Sequence, residues 1–138
     1  MTSSSPAASS RLVVEQVDHA VQPDGYGVAR VVLEHGDQRH LGEARGVLTR
    51  EGDLRCGADA ALAAIAAATG GDLRLTLVGI KAVRAFDDWI VVSSIEARGA
   101  ERSHRLLGAR AAGPDGMVHA AVLSVLDAVN RIVEHHLA

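Results

Sequence analysis

The residues with chemistry to offer are seven histidines, one cysteine, and a few adjacent acidic or hydroxyl pairs. Cys56 is the only thiol. It precedes an expected helix start, where a thiol pKa can fall, but no partner stands at a fixed spacing from it, so it reads as a quiet, partly buried cysteine. Asp87-Asp88 beside Trp89 has the make-up of a carboxylate pair for acid–base work. It lies between two apolar runs, where such a pair is a solvated hairpin tip. Ser93-Ser94 lacks the G-x-S-x-G elbow that exposes a nucleophilic serine. His19, His35, His40, His104 and His119 are scattered, with no HxH or HExxH spacing, although His40 and His104 fall on matching strands of two similar halves. His135-His136 would point about 100° apart on a helix, so one metal ion cannot readily take both. A helix C-terminus favours them as partial cations instead. Arg98, Arg102, Arg105 and Arg110 could grip an anion bidentately, but Glu96 and Glu101 offset them and the set reads as a mixed solvated face. There is no phosphate loop, dinucleotide fingerprint or CxxC. No catalytic residue, metal site or cofactor is therefore expected. An enzyme is the less favoured reading, and it would use Asp59, Cys56 or His104 in a dimer cleft. A deep pocket holding two of these groups would support it.

The elements that must position such groups follow from composition and period. The chain has 138 residues, 48% apolar and 22% charged, the size and balance of one globular domain. Aromatics are 2%, only Tyr26, Phe86 and Trp89, so the core must be aliphatic. Few stacking platforms and a formal charge of -3 argue against a nucleic-acid partner. No apolar run approaches the roughly 20 residues of a membrane span. Residues 1–10, Ser/Ala-rich without a basic start or an apolar stretch, read as a flexible tail and not a signal peptide. A lone cysteine fits a reducing compartment, so a cytoplasmic protein is expected. Its Ala/Arg/Gly/Val richness hints at a bacterial source.

Residues 11–138 read as one domain. Leu12 to Val21, Val28 to His35 and Arg39 to Val47 are β-branched or alternating runs, expected as strands. Pro23-Asp24-Gly25 and Gly36-Asp37 turn the chain between them. Leu48 to Arg55, containing Gly52-Asp53, reads as a loop. Ala58 to Thr69 is a helix by alanine content, stopped by Gly70-Gly71. The plan then recurs: strands from Leu73 to Val83, Trp89 to Ala97 and His104 to Ala111, a turn at Asp87-Asp88, and a helix from about Pro114 to His136. Val118, Val122, Val125, Val129 and Ile132 give that helix a buried stripe. The fold class is thus α+β: two βββα repeats, an antiparallel sheet with two helices on one face. At a shift of 62, Ala20-Val21 meets Ala82-Val83 and Leu33-Glu34 meets Ile95-Glu96. Leu41-Gly42-Glu43-Ala44-Arg45 resembles Leu107-Gly108-Ala109-Arg110.

Helix N-termini present unpaired amides and a positive dipole end, a ready site for a carboxylate. Gly57, Ala58 and Asp59 open the first expected helix; Gly113, Pro114 and Asp115, with Gly116, open the second. Small residues there would let a ligand reach the backbone, while ordinary capping by the two aspartates explains the same residues without one.

The element order resembles the C-terminal regulatory domain of 2-isopropylmalate synthase and citramalate synthase. Two stretches carry the likeness. Cys56-Gly57-Ala58-Asp59-Ala60-Ala61-Leu62 is similar to that family's Gly-Pro-Val-Asp-Ala-Leu helix start. Gly108 through Gly113, Pro114-Asp115, Ala120-Ala121 and Asp127-Ala128-Val129-Asn130 are similar to its Gly-rich strand end, helix and closing Ala-Leu-Asn. The likeness covers about residues 11–134. Ala58 stands where the family has Pro, the loop Leu48 to Arg55 replaces a Gly-rich turn, and the catalytic barrel is missing. The resemblance implies a dimer with a small-ligand site at the paired helix starts. A stand-alone allosteric-type module is therefore expected, a homodimer binding a small metabolite (amino-acid-like or another carboxylate) or a partner protein. The alternatives are a small enzyme at a dimer interface or a purely structural partner. Exposed sheet edges and the alanine-rich helix are the other motives for a homodimer.

Overall fold

A computed structural model describes residues 11–99 and 101–137; the expected tail at 1–10 lies outside them. The element order is β1 (Val13–Val21), β2 (Tyr26–His35), β3 (Gln38–Val47), α1 (Arg50–Ala68), β4 (Arg74–Ala85), β5 (Asp88–Arg98), β6 (Ser103–Ala111) and α2 (Met117–Leu137). This is βββα twice, an α+β fold. The strands form two antiparallel three-stranded sheets, β1-β2-β3 and β4-β5-β6. Each sheet turns one face to the helices: α1 lies on β2 and β3, α2 lies on β5 and β6, and the helices pack on each other. No helix among the described residues is long and apolar enough to cross a membrane.

The register makes the repeat explicit. A bulge interrupts β1 between Val14 and Gln16 and β4 between Leu77 and Gly79. Val14 pairs with Leu33 and Leu77 with Ile95, so the central strands keep the shift of 62 while β1 and β4 differ from it by one residue. Ala20 therefore corresponds to Val83, not Ala82. Gly42 pairs with Val31 and Gly108 with Ser93, which makes these two glycines equivalent.

Both glycines are required by the close approach of strand to helix. A Cβ on Gly42 would overlap the Ala60 carbonyl and the Ala64 amide; one on Gly108 would overlap the Ser124 carbonyl and the Ala128 amide. Each helix thus lies with its backbone almost against its own last strand. The core between them is aliphatic: Ala29, Val31, Leu33, Ile65, Ile95, Val122, Val125 and Val129 are fully buried. Burial drives the assembly through removal of apolar area from water.

Two helix starts differ from the sequence expectation. α1 begins at Arg50, so the segment read as a loop is its first turn and a half. The Thr49 hydroxyl accepts a 2.9 Å hydrogen bond from the Gly52 amide, and Glu51 and Asp53 sit at the positive end of the dipole. Gly52 belongs there because a Cβ would overlap the Val47 carbonyl. Gly57, Ala58 and Asp59 consequently lie in the helix interior and do not open it. α2 begins at Met117: the Gly116 amide donates to the Gly113 carbonyl at 3.1 Å, and Gly116 has φ of 94°. Gly113, Pro114 and Asp115 therefore form a turn ahead of the helix. Asp88 pairs with Ala85, so the second sheet's first turn is Phe86-Asp87.

Gly42→Ala and Gly108→Ala are each expected to destabilise the fold by about 1–3 kcal/mol, the usual cost of overpacking. Gly79→Ala, with nothing within 4 Å of its Cβ, is expected to cost far less. Urea unfolding midpoints of the three variants test the difference.

Candidate functional site

The two halves differ where β1 and β4 meet the helices. β4 lies along α1, whereas β1 touches α2 far less. Val14 and Val17 stand where β4 has Leu77 and Ile80, so β1 reaches less far inward. A groove results between β1 and α2. One section, of ≈ 390 Å³, is lined by Val17, His19, Asp115, Gly116, Met117, Val118 and His119. A second, of ≈ 290 Å³, includes Arg11, Val14, His119, Leu123, Asp127 and Asn130. A smaller one, of ≈ 140 Å³, includes Arg110, Gly113, Asp115 and His119. His119 is common to all three.

The head of the groove is polar in the first half only. His19 Nε2 lies 3.5 Å from Asp53 Oδ1, and both atoms are buried without a hydrogen-bond partner. The ring rests over Gly27, whose Cβ would press on Nε2 and on Leu48 Cδ2. Cys56 is buried nearby in α1, its thiol directed to the Ala44 carbonyl at 3.2 Å. The equivalent place in the second half is apolar: Leu54, Val91, Ala120 and Ala121 are buried there with Ala82 and Met117 packed on them. Register equates Ala82 with His19, because their partners Val91 and Ala29 are equivalent. The glycine contacts equate Met117 with Asp53 and Ala120 with Cys56. The architecture itself therefore does not require polar side chains at this place.

The start of α2 supplies backbone donors. Gly116 has no side chain to accept from the first-turn amides, and no acid sits in that turn; α1, by contrast, is capped by Thr49 and carries Glu51 and Asp53. Such amides with the helix dipole favour an anion. Further along, the Asn130 Oδ1 is buried without a partner. Arg110 donates to both Asp127 oxygens, at 3.0 and 2.7 Å, which holds the guanidinium firmly cationic. This paired Arg110 closes one wall.

Of the residues expected at a ligand site, Asp115 and Gly113 line this groove, and Pro114 is exposed between them. Gly57 is buried at the helix crossing, where its Cβ would lie 3.0 Å from Val118 Cγ1 and 3.5 Å from Ala121 Cβ. Ala58 is buried and Asp59 exposed. Partial burial raises the Asp59 pKa, with Arg55 opposing the shift. No cavity among the described residues holds two of Asp59, Cys56 and His104, the arrangement that the enzyme reading needs. Ser93 is fully buried in the inner face of β5, Asp87 and Asp88 are exposed at the hairpin, and His135 and His136 are exposed in the last turn of α2. Arg98 pairs with Glu96 at 3.5 Å. Sequence reasoning missed His19, His119 and Asn130 as a group, since only the fold brings β1 beside α2.

Burial raises the Cys56 pKa; a hydrogen bond from the Ala29 backbone opposes the rise, and Asp53 and Asp59 add to it. The thiol is therefore protonated at neutral pH and is no nucleophile. Because the folded pKa lies above the unfolded one, the thiol's contribution to stability is present below the ordinary thiol range and lost as pH rises through the folded value. The alkylation rate of native Cys56 by iodoacetamide is expected to climb only at higher pH than that of a free cysteine peptide. A profile at or below the peptide's would contradict this. No protein-family model matches the chain, and no curated protein matches it.

Proposed function

We propose that this chain is a non-enzymatic ligand-binding module of the regulatory-domain type it resembles, taking a small carboxylate with a short apolar tail in the groove between β1 and α2. One observation carries the reading: His19, whose buried Nε2 makes no hydrogen bond and lies 3.5 Å from Asp53 Oδ1, lines the same cavity as the first turn of α2, where no acid sits. Donors of that kind suit a carboxylate head. Val14 and Val17 on one wall and Leu123 on the other suit an apolar tail. The ligand's place differs from that expected from sequence: it keeps the turn Gly113, Pro114 and Asp115 and gives up Gly57, Ala58 and Asp59 in the interior of α1. A protonated single thiol suits a reducing compartment, and the cytoplasm is the location we propose.

Isovalerate and its shorter and longer homologues are suitable probes. Millimolar isovalerate is expected to shift the amide resonances of Gly116 to His119 and the ring of His19 in heteronuclear NMR spectra. His19→Ala is expected to weaken the affinity about tenfold, roughly 1.4 kcal/mol, with the fold intact. Absence of any shift at these residues, for the whole series, would overturn the reading.

A further inference from the structure

The outer faces of the two sheets occupy equivalent places and distribute their charges differently. On the first sheet, Arg30 pairs with Glu43 at 2.8 Å, Arg39 with Glu15 at 2.8 Å and Arg45 with Asp24 at 2.6 Å. On the second, register places Val83, Ile90 and Ala111 in one outward row, Lys81, Val92 and Ala109 in the next, and Gly79, Ser94 and Leu107 in a third. Lys81 is the only charge in these three rows. Leu107 is 69% exposed and Val78, at the bulge, 45%. Leu41, the counterpart of Leu107, is 53% exposed too, but it stands among ion pairs; on the second sheet the three apolar rows are contiguous, and a contiguous apolar patch marks a contact surface.

The two ends of that face are complementary to each other. At one end the turn carries Phe86 at 96% exposure, with Phe86 and Asp87 at φ of 53° and 61°. A bulky residue in the left-handed region costs free energy that Gly or Asn would avoid. Asp87 and Asp88 lie beside it. At the other end, a hollow of ≈ 410 Å³ is lined by Asp72, Arg74, Arg98 and Gly99, with Arg105 in the adjoining row opposite Glu96. The acidic, aromatic end and the guanidinium-rich hollow are separated by the length of β5, 11 residues, or roughly 36 Å at ~3.3 Å each.

We propose that a second copy of this chain docks face to face on the second sheet, related by a twofold axis crossing the strands at mid-length. That axis runs the two copies of β5 antiparallel. It seats Phe86 of each copy between Arg74 and Arg98 of the other, where cation–π attraction adds to burial, and sets Asp88 against the other copy's Arg98. Three strands ~4.8 Å apart and roughly 36 Å long cover about 500 Å² of footprint per copy. That lies below the roughly 800 Å² per partner of a standard interface, in the class of weak, transient contacts. The proposal is independent of the groove, which lies on the helix side. The alanine-rich helix has no part in it, since Ala58, Ala60, Ala61 and Ala64 are buried within the chain.

Sedimentation velocity across a concentration series tests the proposal on the full chain. The wild type is expected to pass from one copy to two over the micromolar range. Phe86→Gly, which relieves the backbone, and Leu107→Lys are each expected to weaken association at least about tenfold. Leu41→Lys, on the outer face of the first sheet, is expected to leave it unchanged. Asp88→Arg and Arg98→Asp should each weaken association alone, and an equimolar mixture of the two should restore it, because every Asp–Arg contact is then complementary. A wild type that stays single at all concentrations overturns the proposal. So does association that survives Phe86→Gly and Leu107→Lys, as pairing of strand edges would, or a mixture that is not restored.

Discussion

Everything in this fold depends on how closely the last strand of each repeat approaches its own helix. Gly42 under Ala60 and Ala64, and Gly108 under Ser124 and Ala128, bring backbone against backbone. That contact fixes the height and direction of each helix over its sheet. The helices then meet at Gly57 and Ala121, two equivalent positions that face each other across the internal repeat. With the helices fixed in this way, the remaining freedom is in the first strand of each repeat. One of these strands packs down and the other stands off. The groove beside α2 is thus a consequence of side-chain size, Val14 and Val17 against Leu77 and Ile80, acting within a frame that two glycines set.

Much of the fold is legible in the sequence. Alternation and turn chemistry give six strands, alanine content and the valine stripe give two helices, and the Leu-Gly echo at Gly42 and Gly108 gives the repeat. What period alone does not give is where the first helix starts. Gly52-Asp53 has the composition of a loop, and the capping hydroxyl of Thr49 comes before the alanine run begins. The consequence reaches the site: three residues expected to open a helix and face a ligand are inside it, two of them buried in packing. His19, His119 and Asn130 were individually visible but could not be grouped, because their proximity depends on one strand crossing to the other repeat's helix.

The duplication also serves as an internal comparison. Where one half packs Ala82, Met117 and Ala120 together, the other places His19, Asp53 and Cys56. Where one outer face pairs Arg30 with Glu43, the other places Val92 and Ala109. Burying polar atoms without partners costs free energy, and exposing apolar side chains forgoes the gain from their burial. Each departure is therefore a local cost that the equivalent positions of the other half avoid.

The meander topology has a kinetic consequence. Every strand pairs only with its neighbour in sequence, through connections as short as Gly36-Asp37 and Phe86-Asp87. Loop-closure entropy within each βββα unit is therefore small, and contacts of this kind form early. The separation in sequence is concentrated instead in one event, the docking of α1 and β1 against α2. The largest loop-closure cost of the fold is thus carried by the meeting of its two halves at the helix crossing.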